Sequence, residues 1–426
     1  MMVCSGRASG VILQKAQDFW FLRNAMASLP PIVAIEIGTT KVRVLVAEVR
    51  EDEHLMITGV RDQPSRGVRK GEIVHFDNAL SCVRTAFDEA EMQSQVTINA
   101  VYVLLSGADI QAGTNKGSVP LVGPEQEILP DDIQHVLDTS KAISLATDRE
   151  ILHSIQQYFY VDDQQPVIDP KGMEGSKLSV DMLIVHGVRN RLRNTIKVVR
   201  SAHVEVQDVA FSGLCSALAV LTPEQKESGA IVIDLGGGTT DYFVYAEKAV
   251  AMAGTIAVGG DHITNDLGLG LGIPTVQAER VKVEHGSAMV DLSVRGQNIS
   301  LPAEGGFTGR NVKLVDIQTI IHARVYETLS LVRNQLKEKD FLHLIGAGVI
   351  LTGSGCKLKR IEELVQKVFQ LPCHKGVPRN LSGLAVVTEG AEYAACIGML
   401  RYALKVGSKE SSSIPIFSML KGIFRK

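Results

Sequence analysis

The sequence lacks the marks of several common protein classes. Its six cysteines stand at positions 4, 82, 215, 356, 373 and 396 and form no CxxC pair or Cys/His metal spacing. That argues against a zinc module or a disulfide framework and for reduced thiols in a cytoplasm. No apolar run reaches the roughly 20 residues that a membrane-spanning helix needs. Val11, Ile12 and Leu13 are followed at once by Gln14 and Lys15, which is too short a run for a signal peptide. An excess of one charge is missing too: 44 Lys and Arg against 47 Asp and Glu leave a net charge of −3. No overall basic field therefore invites nucleic acid. The one short basic run, Lys357-Leu358-Lys359-Arg360, is expected on a solvated helix face. The phosphate loop GxxxxGK[ST] is absent, and Gly268, Gly270 and Gly272 make a GxGxG that follows no strand. A loop is the expectation there, because the dinucleotide fingerprint must leave a strand and open a helix.

What is present is a chain of 426 residues, 45% hydrophobic and 21% charged, long enough for two or three domains. Its only tryptophan, Trp20, lies in an amphipathic stretch over 11–22, ahead of Met26. Residues 1–25 read either as an N-terminal arm or as a segment upstream of a true start at Met26. From Ile32 onward, Val- and Ile-rich runs (42–49, 101–105, 231–233, 349–351) alternate with helical stretches, an α/β pattern. Residues 98–186 read as a small separate unit: a strand, a helix near 131–146, a polar loop over 162–176, and a further strand. Residues 406–413 are a Gly/Ser/Lys/Glu linker.

Two segments repeat one another. The first runs Ile32-Val33-Ala34-Ile35-Glu36-Ile37-Gly38-Thr39-Thr40-Lys41. The second runs Ile231-Val232-Ile233-Asp234-Leu235-Gly236-Gly237-Gly238-Thr239-Thr240-Asp241. Each is an apolar strand ending in a carboxylate, then glycine, then Thr-Thr, and each continues into another strand-like run, so each predicts a hairpin. Glycines let backbone N–H groups approach an anion, and threonine hydroxyls and Lys41 add donors and charge. Glu36 and Asp234 cannot face a phosphate alone, but they suit a hydrated Mg²⁺. Two facing hairpins would hold a nucleoside triphosphate from both sides. A third piece, Gly348 to Gly355, is a strand running into the Gly-rich turn Gly353-Ser354-Gly355 before a helix over 358–369. It would admit a flat base or ribose. Glu279 and Lys282, three apart on one helix face, read on spacing alone as an ion pair.

The chain closes with SSSIPIFSMLKGIFRK. Wound as a helix, Ile416, Phe417, Met419, Leu420, Ile423 and Phe424 fall on one arc, with Lys421 and Arg425 on the other side. Residues 414–426 are too few to span a bilayer, but such a helix suits the plane of an anionic lipid surface.

Taken in order, these pieces resemble the actin/hexokinase/heat-shock-chaperone superfamily. Glu36 to Lys41 and Asp234 to Asp241 match its phosphate hairpins, and Gly348 to Gly355 its adenosine motif. Residues 69–75, 149–153, 169–175 and 278–282, with the linker and terminal helix, resemble the bacterial cell-division FtsA family, over about 31–426. The resemblance implies an actin-like two-lobed ATPase fold with an inserted 1C subdomain in place of actin subdomain 1B. Subdomain 1A would comprise 31–97, 189–222 and 385–405. Subdomain 1C would be 98–188, 2A would be 223–261 with 320–384, and 2B would be 262–319, after an extension over 1–30.

The resemblance also implies ATP and Mg²⁺ as ligands, with Gly38, Thr39, Thr40, Lys41, Gly236, Gly237, Gly238 and Thr239 around the phosphates. Glu36 and Asp234 would be the metal and catalytic carboxylates, with Glu279, Lys282, Gly353, Ser354 and Gly355 at the nucleoside. It implies filaments of the chain itself at the cytoplasmic face of the inner membrane at the division site. There the FtsZ C-terminal peptide would dock on 2B, near Arg295, Arg310 and Lys313, and other division proteins on 1C. The first hairpin carries Glu36 where much of the superfamily has Asp, which points to binding with slow hydrolysis at most. His153 is followed by Ser154-Ile155-Gln156-Gln157, where FtsA chains usually place a proline. A small-molecule kinase would need a catalytic Asp in a substrate cleft that the sequence does not display. A pilus-assembly scaffold would share the nucleotide fold.

Overall fold

The computed structural model describes residues 30–50, 53–121, 126–303 and 308–407. Trp20, residues 408–413 of the linker and the whole amphipathic segment 414–426 lie outside the described residues. Val406 and Gly407, expected in the linker, instead close the last helix, Ala394–Gly407.

Each repeat becomes the centre of a sheet. The first sheet has six strands in the order Glu205–Phe211, Ala100–Leu105, Ile32–Ile37, Lys41–Val49, Leu55–Pro64, Leu381–Gly383. The second has five, in the order Ala249–Ile256, Thr240–Ala246, Ala230–Leu235, Val349–Thr352, Cys373–Lys375. In both, the carboxylate-bearing strand pairs antiparallel with its hairpin partner and parallel with a strand on its other side. Val33, Ala34, Ile35 and Ile231, Val232, Ile233 are buried on both faces of their strands, which is why these runs are continuous rather than alternating.

Two helices, Ser212–Val220 and Ala394–Gly407, cross in the core, where Cys215 Sγ meets Met399 Sδ at 3.9 Å. The crossing is so close that a Cβ on Gly398 would collide with the Cys215 carbonyl, so only glycine fits there.

The inserted unit has its own sheet, ordered Gln111–Pro120, Lys177–Val188, Arg149–Val161. The helix Pro130–Lys141 packs on it over a separate core that includes Phe159, Val180 and Ile184. That helix ends five residues short of the expected 146. The strand Arg149–Val161 continues through Ser154 to Gln157, where its register with Lys177–Val188 shifts, and the Gln157 amide donates to the Val250 carbonyl at 2.7 Å, tying the insert to the second sheet.

Two expectations fail nearby. Gly268 and Gly270 lie inside the helix Gly260–Leu271, not in a loop, and Gly272 ends it at φ +60°. A Cβ on Gly270 would stand 2.7 Å from Ile320 Cδ1, so the missing side chain lets this helix pack on Leu314–Glu338. The basic run 357–360 is not on a helix face either. It precedes the helix Ile361–Phe369, with Lys357 paired to Glu392 and Arg360 to Glu363.

Where the insert meets the first sheet, Phe211 N–H donates to His153 Nε2 at 2.9 Å and Tyr402 O–H to Asp208 Oδ2 at 3.0 Å. Burial lowers the His153 pKa to about 4 and raises that of Asp208 to about 6. From pH 4 to 6 the native state holds a proton on Asp208 that the unfolded chain releases, so this group's contribution falls as pH rises. His153 has the opposite sign: the unfolded chain binds a proton that the native state refuses, so stability rises with pH from 4 to 6.5. Asp208→Asn keeps an acceptor for Tyr402 and removes the falling slope. Its stability relative to the wild type should therefore improve by about 2 kcal/mol between pH 4.5 and 7 in urea unfolding. Parallel pH profiles for the two proteins would remove the cost assigned to Asp208.

Candidate functional site

The turns of the two repeats close in the same way: Gly38 N–H donates to the Lys41 carbonyl at 2.9 Å and Gly236 N–H to the Thr239 carbonyl at 3.0 Å. They meet tip to tip between the sheets. A Cβ on Gly237 would stand 2.5 Å from Thr40 Cγ2, and one on Gly238 would strike Thr39 Oγ1. One cleft is lined by Glu36, Gly38, Thr39, Thr40 and Lys41 of the first hairpin. Asp234, Gly236, Gly237, Gly238 and Thr239 of the second face them, with Gly353 and Ser354 of the third motif.

Three candidates are not on the cleft wall. Gly355 packs behind it, where a Cβ would be 2.5 Å from that of Leu235. Glu279 and Lys282 form an ion pair at 2.6 Å, and the Lys282 ammonium also donates to the Gly260 carbonyl and the Thr264 hydroxyl. Gly260 and Asp261 N–H in turn hold the Gly236 and Gly237 carbonyls at 3.0 and 2.8 Å. The pair therefore braces the second turn from the flank.

The cleft also contains Asp241, which closes the second repeat, and residues that lie outside the motifs: Arg43, Gly71, Ser106, Ser212 and Glu392. Ser106 and Ser212 directly follow the strands Ala100–Leu105 and Glu205–Phe211, the strand ends where α/β sheets place ligands. That signal was available. Ser106 joins the lobes, 3.0 Å from Thr239 Oγ1 and donating to Asp241 Oδ1 at 3.1 Å. Gly71 lies at φ +76° in the turn after Arg69, and its N–H donates to Thr39 Oγ1 at 3.1 Å.

Three carboxyl groups gather here. Burial raises the pKa of Glu36, with Arg43 opposing and Asp234 reinforcing the rise. Burial raises Asp234 as well, against a 2.6 Å hydrogen bond from Ser216. Burial and then the Asp234 charge push Asp241 up to about 7. Arg43 is itself buried and forks onto Asp62 at 2.7 and 3.0 Å. Burial works against the Asp62 carboxylate, but the Arg43 hydrogen bond and charge bring its pKa below the usual value. Lys41 also pairs with Asp62, at 3.2 Å.

Among the described residues no three His, Cys, Asp or Glu side chains are grouped to hold a metal. Glu36 and Asp234, one from each hairpin, suit instead a divalent cation that arrives with a polyphosphate and keeps most of its waters. The convergent N–H groups and hydroxyls of both turns suit that polyphosphate.

Arg295, Arg310 and Lys313 are exposed, but they do not form one patch. Arg310 and Lys313 are three apart on the strand Arg310–Lys313 and so project to opposite faces, and a Cβ on Gly272 would be 3.4 Å from the Arg310 guanidinium. Ile416, Phe417, Leu420, Lys421, Ile423, Phe424 and Arg425 lie outside the described residues.

The family model for cell division protein FtsA matches residues 231–398, and the model for the SHS2 domain inserted in FtsA matches 107–186. The chain is 33% identical over 374 residues to the cell division protein FtsA of Pseudomonas aeruginosa, covering 88% of this chain and 89% of that one. The chain belongs to the FtsA family. The FtsA of Escherichia coli K12 is 31% identical, with 87% and 90% covered, and that of Neisseria meningitidis serogroup B 32%, with 88% and 90%. Among solved structures, the PilM–PilN type IV pilus biogenesis complex superposes with a TM-score of 0.63 at 13% identity, covering 88% of this chain and 98% of that one. MreB5 of Spiroplasma citri bound to ADP superposes at 0.52 and 14%, covering 90% and 99%. These likenesses show the actin-like ATPase fold, and the SHS2 match identifies the insert as the FtsA-specific 1C subdomain. The FtsA family makes this an actin-like cell-division protein and decides against the pilus-assembly and kinase readings.

Proposed function

We propose that this FtsA-family chain binds ATP with Mg²⁺ in the interlobe cleft, polymerises, and tethers FtsZ filaments to the cytoplasmic face of the inner membrane at the division site. The observation that carries the nucleotide part is the pairing of two GTT turns tip to tip, each beside a half-buried carboxylate. Gly38, Thr39, Thr40, Gly236, Gly237, Gly238 and Thr239 would take the phosphates, and Gly353 and Ser354 the nucleoside. Lys282 and Glu279 would support the second turn. Mg²⁺, held by Glu36 and Asp234 through water, would neutralise the polyphosphate. Hydrolysis, where it occurs, would be slow.

The membrane contact would be made by 414–426, through the apolar arc and the cations Lys421 and Arg425. Subdomain 1C would meet other division proteins, and further copies of the chain would extend the filament. The test is sedimentation with FtsZ and anionic vesicles: FtsZ should pellet with vesicles only when this protein and ATP are present. FtsZ remaining in the supernatant would overturn the tethering role.

FtsZ's C-terminal peptide would dock on 2B. Reversing Arg310 and Lys313 together should weaken peptide binding several-fold by fluorescence anisotropy, and since they face opposite ways one of the single variants should account for most of it. Unchanged affinity in the double variant moves the site elsewhere.

A further inference from the structure

Arg43 sits mid-strand with only 4% of its surface exposed, and its charge is answered from three elements. Nε and Nη2 fork onto Asp62 of the neighbouring strand Leu55–Pro64. Nη1 donates to the Glu392 carbonyl, just ahead of the last helix, and stands 3.4 Å from Glu36 Oε2. The guanidinium lies over the Tyr393 ring, 4.3 Å from its centroid. The fork, the carbonyl and the ring fix its plane, so Nη1 is a rigid donor rather than a mobile charge.

Glu36 is thereby held at one oxygen. Oε2 receives Arg43 and, at 3.7 Å, the Cys396 thiol. Oε1 faces the Gly38 turn, 3.7 Å from where a Cβ on Gly38 would stand. A glutamate side chain has one more rotatable bond than an aspartate and loses correspondingly more freedom when it must present an oxygen at one place. Anchoring Oε2 on a fixed guanidinium removes that freedom. Asp62 balances the added charge, so Glu36 keeps its attraction for a cation in the cleft.

We propose that Arg43 is the positioning residue of this cleft: it locks Glu36 by one oxygen so that the other is presented to the divalent cation that accompanies the nucleotide. This rests on the Mg²⁺–ATP reading above. It concerns a residue that need not touch the nucleotide, and its sign is the cation dependence of binding rather than binding itself.

The test measures ATP affinity of the full chain by calorimetry across a Mg²⁺ titration and in EDTA. The proteins compared are the wild type, Glu36→Gln, Arg43→Lys, and the double variant Arg43→Met with Asp62→Asn, which removes the forked pair together and leaves the former Asp62 partner Lys41 to solvent. The double variant should require about 10–100-fold more Mg²⁺ for the same gain in affinity, approaching Glu36→Gln, with EDTA affinity and melting temperature close to wild type. Arg43→Lys, which keeps the charge without the fork, should fall between. Wild-type Mg²⁺ dependence in the double variant overturns the proposal. So does an equal loss of affinity with and without Mg²⁺, which would mark a purely structural role. A wild-type protein that binds no ATP in either condition overturns the nucleotide reading itself.

Discussion

Gly237→Val should abolish nucleotide binding while leaving the protein folded. The backbone at Gly237 does not need a positive φ, so valine is not strained there for conformational reasons. Its Cβ, however, would stand 2.5 Å from Thr40 Cγ2 and 2.8 Å from Oγ1, where the two turns meet. The branched side chain must push the hairpins apart and fill the space in which their N–H groups would meet a phosphate. ATP affinity should fall by at least about 100-fold, near 3 kcal/mol. Unfolding stability should fall only by the ~1–3 kcal/mol typical of local overpacking. Gly353 would make a poorer probe: it lies at φ +83° and a Cβ there would collide with Asp234 Oδ1, so its variants would be lost to misfolding. Unchanged ATP affinity in folded Gly237→Val would sink the phosphate assignment.

The second large effect concerns the tail. Deleting 414–426, or changing Phe424 to Asp, should release the protein from anionic vesicles in flotation while ATP binding survives. Each cation near an anionic surface contributes about 1 kcal/mol, and each large apolar side chain up to about 1.5–3 kcal/mol if fully buried. One copy therefore holds reversibly, and a filament of many copies holds firmly. Because the last helix runs on to Gly407, only 408–413 separate the body from the tail segment. Their reach is at most about 20 Å fully extended. A deleted protein that still floats with vesicles would point to another anchor, the segment around Trp20 being the next candidate.

The repeated hairpins, the third motif and the α/β class were legible from residues alone, because each depends on local patterns: an apolar run, a terminal carboxylate, glycines and paired threonines. The inserted unit was legible because its motifs are continuous in sequence. The GxGxG at 268–272 reads locally as a loop, since nothing local reveals that Ile320 of a distant helix occupies the space a side chain on Gly270 would need. Glu279 and Lys282 have ion-pair spacing, and the sequence could not tell that the pair also supports the Gly236 turn through Gly260 and Thr264.

The sequence by itself determined the chemistry at the tips of the two hairpins and the amphipathic character of the tail, because both are written in the order of neighbouring residues. Only the tertiary structure decided that Arg43, Ser106 and Ser212 share the cleft with those tips. Arg43 and Glu392 are 349 positions apart, and Ser106 and Asp241 are 135 apart. The physical reason is that a cleft between two sheets is lined by whatever the strand ends and the interlobe turns bring there. That proximity is settled by how the buried strands and helices pack, not by spacing along the chain.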